Sequence, residues 1–214
     1  GTAIISGDAV VKQYLSARRN WYFSSPISDA TSAVFKVTEG NQLWERNVPG
    51  NSWTEITATD VDLTPLKGYI GKVAANGVVT FNGTLNNANI PALTLTKSNA
   101  TNGKFHLVGN PYPSYLDWQA VAVANPNLTG SMWFRTKTAV SEQVPTSVYT
   151  FSTVLYTTEA GLQIVNGNAN TTVTPKIPPM QAFWVRINDG VETANFTVNN
   201  NMRYHADETG NKFK

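Results

Sequence analysis

Lys67-Gly68-Tyr69-Ile70-Gly71-Lys72-Val73, followed by Asn76-Gly77, Val78-Val79-Thr80-Phe81 and Asn82-Gly83, is the stretch on which the fold turns. Both runs are short and apolar in alternation, and both end near an Asn-Gly pair, which suits tight hairpin turns. The same rhythm continues outward every eight to fifteen residues or so. It gives strands at Trp21 to Ser24, Ala33 to Val37, Gln42 to Arg46, Gly68 to Val73, Val78 to Phe81 and Ala92 to Thr96. Beyond these come Lys104 to Val108, Met132 to Thr136, Val148 to Leu155, Gln163 to Val165, Ala182 to Ile187 and Ala194 to Val198. Asn102-Gly103 and Asp189-Gly190 supply further turns. The one helix signal is Tyr115 to Val123, with Ser114 able to cap the first turn and Asp117 at the third position. The expectation is an all-β chain: an antiparallel, jelly-roll-like β-sandwich with at most one or two short helices.

Motifs recur in order. Trp21-Tyr22-Phe23-Ser24-Ser25-Pro26 matches His106-Leu107-Val108-Gly109-Asn110-Pro111, each a strand running into a proline turn. Leu43-Trp44-Glu45-Arg46 matches Met132-Trp133-Phe134-Arg135, and Lys67 to Val73 matches Gln181 to Ile187. A Phe-centred strand closes each half, at Phe81 and Phe196. These matches indicate a degenerate two-fold repeat within one module, residues 1–214, with halves of about 19–98 and 104–205. Strand-turn patterns of this kind also arise independently in β-rich chains, and that alternative stays open. The second half is the longer, and Tyr149 to Asn170 reads as a surface insertion.

Only 14% of residues are charged, well below the quarter or so of an ordinary domain. The 26 Thr and 23 Asn supply the polarity instead, which favours strands joined by turns. With a net charge of +2 and cations scattered singly or in pairs such as Arg18 and Arg19, no basic stripe is present to follow a phosphate backbone. Nucleic acid is not an expected partner. The chain has no cysteine, so no disulfide, thiolate nucleophile or Cys-ligated zinc is expected. No apolar run reaches the roughly 20 residues of a membrane-spanning helix.

Three segments carry a resemblance. Arg19-Asn20-Trp21-Tyr22-Phe23-Ser24-Ser25-Pro26, Gly109-Asn110-Pro111-Tyr112-Pro113-Ser114 with Asp117-Trp118, and Ile177-Pro178-Pro179-Met180-Gln181-Ala182-Phe183-Trp184-Val185 resemble modules of large Bacteroidetes secreted and cell-surface, adhesin-like proteins. Arg203 and His205 continue the likeness, which spans nearly the whole chain. It implies an exported β-sandwich unit set before a C-terminal secretion or anchoring region, with neighbouring modules of the same polypeptide as partners. Gly1 and the polar end at Lys214 read accordingly as the edges of a segment within a larger protein. The resemblance carries no catalytic motif.

The residues themselves offer little chemistry. His106 and His205 lack a nucleophile motif and read as a packed strand residue and a tail residue. Glycoside hydrolysis needs facing carboxylates, and Asp117, Glu142, Glu159 and Asp189 sit in turn or loop contexts. Asp60-Val61-Asp62 and Asn86-Asn87-Ala88-Asn89 lack the ordered spacing of a calcium loop, so no metal or cofactor is expected. Gly109, Asn110 and Pro111 read as a fixed structural turn.

What remains is a rich supply of aromatics: six Trp, eight Tyr and nine Phe. Flat rings flanked by amides pack on the C–H face of a pyranose while the amides bond its hydroxyls. Trp53, after the turn Pro49-Gly50-Asn51, is the first ligand-binding candidate, with Tyr149, Tyr115 and Trp118 behind it. Trp21, Trp44, Trp133 and Trp184, embedded in strand motifs, are assigned to core or inter-sheet packing. The expected function is a non-catalytic extracellular binding or adhesion module whose partner is a polysaccharide or cell-surface glycan. The alternatives are a structural spacer or protein-interaction module and, last, a degenerate hydrolase.

Overall fold

The computed structural model describes residues 8–17, 19–137, 149–166 and 173–204. Strand outweighs helix, 49% to 8%, which makes the chain all-β and sandwich-like. Every strand pairing among the described residues is antiparallel. The first half contains β1 (Asp8–Leu15), β2 (Trp21–Phe23), α1 (Ala33–Lys36), β3 (Gln42–Asn47), β4 (Ser52–Glu55), β5 (Tyr69–Lys72) and β6 (Gly77–Thr84). The second opens earlier than the residue 104 expected for it, with β7 (Leu93–Thr96), and goes on to β8 (Phe105–Gly109), β9 (Tyr115–Asp117), α2 (Trp118–Ala124) and β10 (Leu128–Lys137). It continues with β11 (Tyr149–Thr157), β12 (Gly161–Val165), β13 (Lys176–Ile177), β14 (Ala182–Ile187), β15 (Thr193–Phe196) and β16 (Arg203–Tyr204).

The main sheet of the first half is ordered β2-β5-β3-β4; that of the second is β8-β14-β10-β11, with β12 added beyond β11. Each half also sets its opening strand against a late one, β1 on β6 and β7 on β15. Beneath each sheet lies an apolar cluster. Phe23, Phe35, Leu43, Tyr69 and Phe81 lead the first cluster, and Trp118, Met132, Phe134, Phe183 and Phe196 the second.

The two clusters exchange one residue each. Leu66, from the first half, is fully buried in the second cluster, and Met180, from the second half, is buried in the first. Each follows a proline, stands three residues before the central aromatic of its sheet (Tyr69 or Phe183) and has a left-handed backbone, φ 68° and 62°. Such a backbone is strained for a residue with a Cβ. Each carbonyl is tied to the opposite half: Leu66 O accepts from Gly109 N at 2.9 Å, and Met180 O from Ser24 N at 2.8 Å. Ser24 and Gly109 close their matched strand motifs and meet at this junction. A Cβ added to Gly109 would lie 2.4 Å from Ser24 Cβ, so glycine is needed for close approach. Asn110 then pins the corner: its Nδ2 donates to Ser114 O at 2.7 Å and Pro178 O at 2.9 Å, and its Oδ1 accepts from Tyr112 N at 2.9 Å. Asn86 Nδ2 spans both proline turns, donating to Ser25 O and Pro111 O at 3.1 and 3.0 Å.

Four local expectations are corrected. Ala33 to Val37 is not a strand; its first four residues form α1, which buries Phe35 and packs Val34 against the first cluster, with Ser32 held by Ala58 O and Val61 O. Tyr115 to Asp117 is strand, not helix, because β9 lies between β13 and β16, and α2 starts at Trp118 with Asp117 as its cap, accepting from Gln119 N at 3.1 Å. Asn82-Gly83 is no turn but runs within β6, opposite Val10 and Ala9. Of the stretch Tyr149 to Asn170, residues up to Val165 supply β11 and β12, and Ser152 and Val154 are fully buried, so this part belongs to the sheet; Asn170 lies outside the described residues.

Candidate functional site

Strand parity decides which side chains leave the core. In β14, Phe183, Val185 and Ile187 are fully buried, so Trp184 and Arg186 face the other way. In β10, Met132 and Phe134 point into the core and Trp133 and Arg135 away from it. Register then brings the outward residues together: Trp133 lies opposite Trp184 on β14 and Thr153 on β11, and Arg135 lies opposite Phe151. Phe105, on β8, meets Trp133 edge to face at 5.4 Å.

The hairpin of β3 and β4 supplies the opposite wall. Arg46 pairs with Trp53 across this hairpin, and Trp53 meets Trp184 of the second half edge to face, 5.9 Å between centroids. The Arg46 guanidinium lies 5.6 Å from the Trp184 ring and 5.9 Å from that of Trp53. Its amino groups donate to Ser52 O at 3.2 Å and Asn51 Oδ1 at 2.5 Å, closing the turn in which Asn51 is left-handed, φ 47°. The Arg135 guanidinium lies 5.9 Å from the exposed ring of Phe151 and donates to Tyr22 Oη at 3.2 Å. The rings of Trp53, Phe105, Trp133, Phe151 and Trp184 line, with Arg46 and Arg135, a groove of about 540 Å³; Asn51, Asn102 and Thr153 are its neutral polar groups, and no carboxylate lines it among the described residues. That volume falls within the range of small-ligand sites. Two donors of the lining, Arg46 Nε and Trp184 Nε1, are buried and have no partner among the described residues, which costs stability and is retained at few places in a fold.

Residues 6–214 match a domain of unknown function, DUF8693. The chain belongs to that family. No curated protein and no solved structure matches it.

Of the four aromatics singled out in this DUF8693 sequence, Trp53 lines the groove. Trp118 does not: it is fully buried, meets Phe183 edge to face at 5.8 Å, and its indole N–H donates to Gly130 O at 2.9 Å. Burial in the core rules it out as an open stacking platform. Tyr115 lines a separate hollow of about 380 Å³ with Trp21 and Pro178. Tyr149 begins β11, two residues before Phe151, but its side chain lies outside the described residues. Trp133 and Trp184, assigned to packing, are half-buried and line the groove; Trp184 does pack against the cluster of Ile70, Leu107 and Ala182, and strand parity turns both rings to this face. Phe105 and Phe151 carried no motif of their own, and Arg46 and Arg135, which close matched motifs, were not read as site residues; only register shows that the four converge.

The carboxylates considered for hydrolysis serve elsewhere. Asp117 caps α2 and pairs with Lys176 at 2.6 Å; Asp189 pairs with Lys104 and Arg186 at 2.5 and 2.7 Å; Glu159 is exposed on the turn before β12. Glu142 and His205 lie outside the described residues. Among the described residues no cluster of three or more His, Asp or Glu is placed to hold a metal, and no helix is long and apolar enough to cross a membrane.

His106, beside Phe105 on β8, is buried, and its Nε2 has no partner among the described residues. Burial first, and the nearby Arg46 charge second, lower its pKa from 6.5 to about 4. The folded state therefore takes up its proton later than the unfolded chain. The stability this residue permits is complete above pH 6.5 and is lost as the pH falls toward 4, by up to about 3 kcal/mol. Urea unfolding at neutral pH and near pH 4 should show that loss in the wild type and a smaller one in His106→Gln. Equal losses would remove His106 as the cause.

Proposed function

We propose that this DUF8693 chain is a non-catalytic binding module that holds a glycan chain in the aromatic groove. The observation that carries the reading is the convergence of Trp53, Trp133, Trp184, Phe105 and Phe151, from strands of both halves, on one groove edged by Asn51, Asn102 and Thr153. Ring faces pack on sugar C–H groups and amides meet hydroxyls. A lining without carboxylates among the described residues favours holding a glycan over hydrolysing it. On this reading the chain works outside the cell as part of a surface protein, in line with a polar surface built on Thr and Asn and the lack of cysteine.

Tryptophan emission titrated with a panel of plant and host polysaccharides tests it. At least one should give a saturable shift, and Trp53→Ala and Trp184→Ala should each weaken binding by about 2 kcal/mol, on the order of thirtyfold. Affinity unchanged in both variants would move the site elsewhere. Silence across the panel would favour the second reading, an interaction module. That reading has its own observation: the edge strand β12 exposes Leu162, Ile164 and Val165, an apolar strip open to a neighbouring module.

A further inference from the structure

Resting on the reading of the groove as a glycan site, we infer that its ligand is an acidic polysaccharide, with the carboxylate or sulfate of a sugar held by Arg46 and Arg135. Among the described residues the groove lining holds two guanidinium groups and no Asp or Glu. Several cations elsewhere pair with carboxylates: Lys67 with Glu45, Lys97 with Glu192, Lys104 and Arg186 with Asp189, and Lys176 with Asp117. Arg46 has no such pair among the described residues. Both of its hydrogen bonds go to neutral oxygens, Ser52 O and Asn51 Oδ1, and its charge lies partly buried between two indole rings.

Partial burial has a consequence for charge. Desolvation lowers the Arg46 pKa, and no carboxylate offsets it. A cation held in a partly dehydrated groove attracts an anion more strongly than one in open water does. The guanidinium is also suited to the anion's shape, since its fork of N–H donors matches the paired oxygens of a carboxylate or sulfate. Arg46 commits two of its five N–H donors and buries Nε–H, leaving the two other amino hydrogens for a ligand. Arg135 stands across the groove, over Phe151. Two cations flanking a row of rings fit a polymer carrying an anionic group on its sugars and stacking the sugar faces between them.

A single-stranded nucleic acid also combines rings with phosphates, but sites for it follow the backbone with a run of cations. This chain has a net charge of +2 and two arginines in the groove.

Calorimetric titration with polygalacturonate, its fully methyl-esterified form, a sulfated galactan, its desulfated form and an oligothymidylate tests the inference. One acidic polymer should bind at least on the order of tenfold more tightly than its own neutral form, with the margin shrinking at high salt. Preference for polygalacturonate assigns a carboxylate and preference for the sulfated galactan a sulfate; either supports the inference. Arg46→Gln and Arg135→Gln should each narrow the margin, weakening the acidic polymer by a larger factor than its neutral form. Arg135→Gln guards against a disturbed hairpin turn in the Arg46 variant, and the circular dichroism of both should match the wild type. Equal binding of an acid and its neutral form would overturn the acidic preference and leave the glycan reading intact. Binding of none of the sugars, or tighter binding of the oligothymidylate, would overturn both.

Discussion

Leu66→Ala is expected to lower the unfolding free energy by about 2–5 kcal/mol, toward the upper end of that range, in urea denaturation. The side chain is fully buried, and it is buried in the core of the other half. Truncation removes its transfer energy and leaves a cavity whose walls cannot readily close. The adjoining backbone is fixed by Gly68 N donating to Leu107 O at 3.0 Å and Gly109 N donating to Leu66 O at 2.9 Å. Alanine keeps the Cβ, so the left-handed backbone at φ 68° gains no relief. Leu66→Gly recovers that strain, roughly 1 kcal/mol, against a larger loss of unfolded-chain entropy, and should fall near the alanine variant. Because Trp53 and Trp184 come from different halves, loosening the junction should also weaken any groove ligand at temperatures where the variant remains folded. A midpoint within about 0.5 kcal/mol of wild type would mean that the exchange of Leu66 and Met180 does not hold the halves together.

The fold was legible because alternation and turn chemistry are local. Gln42, Lys104 and Ala182 sit within a residue of the strand starts expected for them, and the three matched motif pairs fall on strands at corresponding places in the two sheet orders. Where reading failed, a distant partner decided. Residues 33–36 alternate like a strand but have no neighbouring edge to join, and they close into α1 over Phe35. The short strands β9, β13 and β16 exist only because residues about 60 to 90 positions apart meet. The groove was half legible. Trp53 drew notice through its polar neighbours, whereas Trp133 and Trp184 were masked by the apolar residues on either side of them. That flanking pattern is itself the parity that turns them outward: the buried neighbours of Trp184 occupy the core face and leave it the other. The convergence of Arg46 with Trp184 depends on how two hairpins cross, and neither segment records it alone.

Trp118→Ala should be the most damaging change to a single aromatic, about 3–5 kcal/mol by chemical denaturation. Sequence reading grouped Trp118 with Trp53 as a ligand platform, so the pair makes a direct comparison. Trp118, the first residue of α2, is fully buried, its ring against Phe183 on the core face of β14 while Trp184 occupies the opposite face. Its indole N–H is tied to Gly130 O at 2.9 Å, in β10, the strand bearing Trp133. Trp118→Phe keeps much of the ring but leaves that carbonyl without its donor and opens a smaller void, and should cost less than alanine while still exceeding about 1 kcal/mol. Trp53, half-buried on a hairpin, has less core to lose, and Trp53→Ala should cost at most about 1–2 kcal/mol of stability while carrying the larger share of any effect on ligand. The two tryptophans thus separate on two axes: Trp118→Ala shifts the unfolding midpoint and leaves the affinity of the folded fraction nearly unchanged, and Trp53→Ala does the reverse. If Trp118→Ala weakened ligand as much as Trp53→Ala in protein still folded by near-ultraviolet circular dichroism, the groove would depend on the packing behind β14 as well as on the rings that face it.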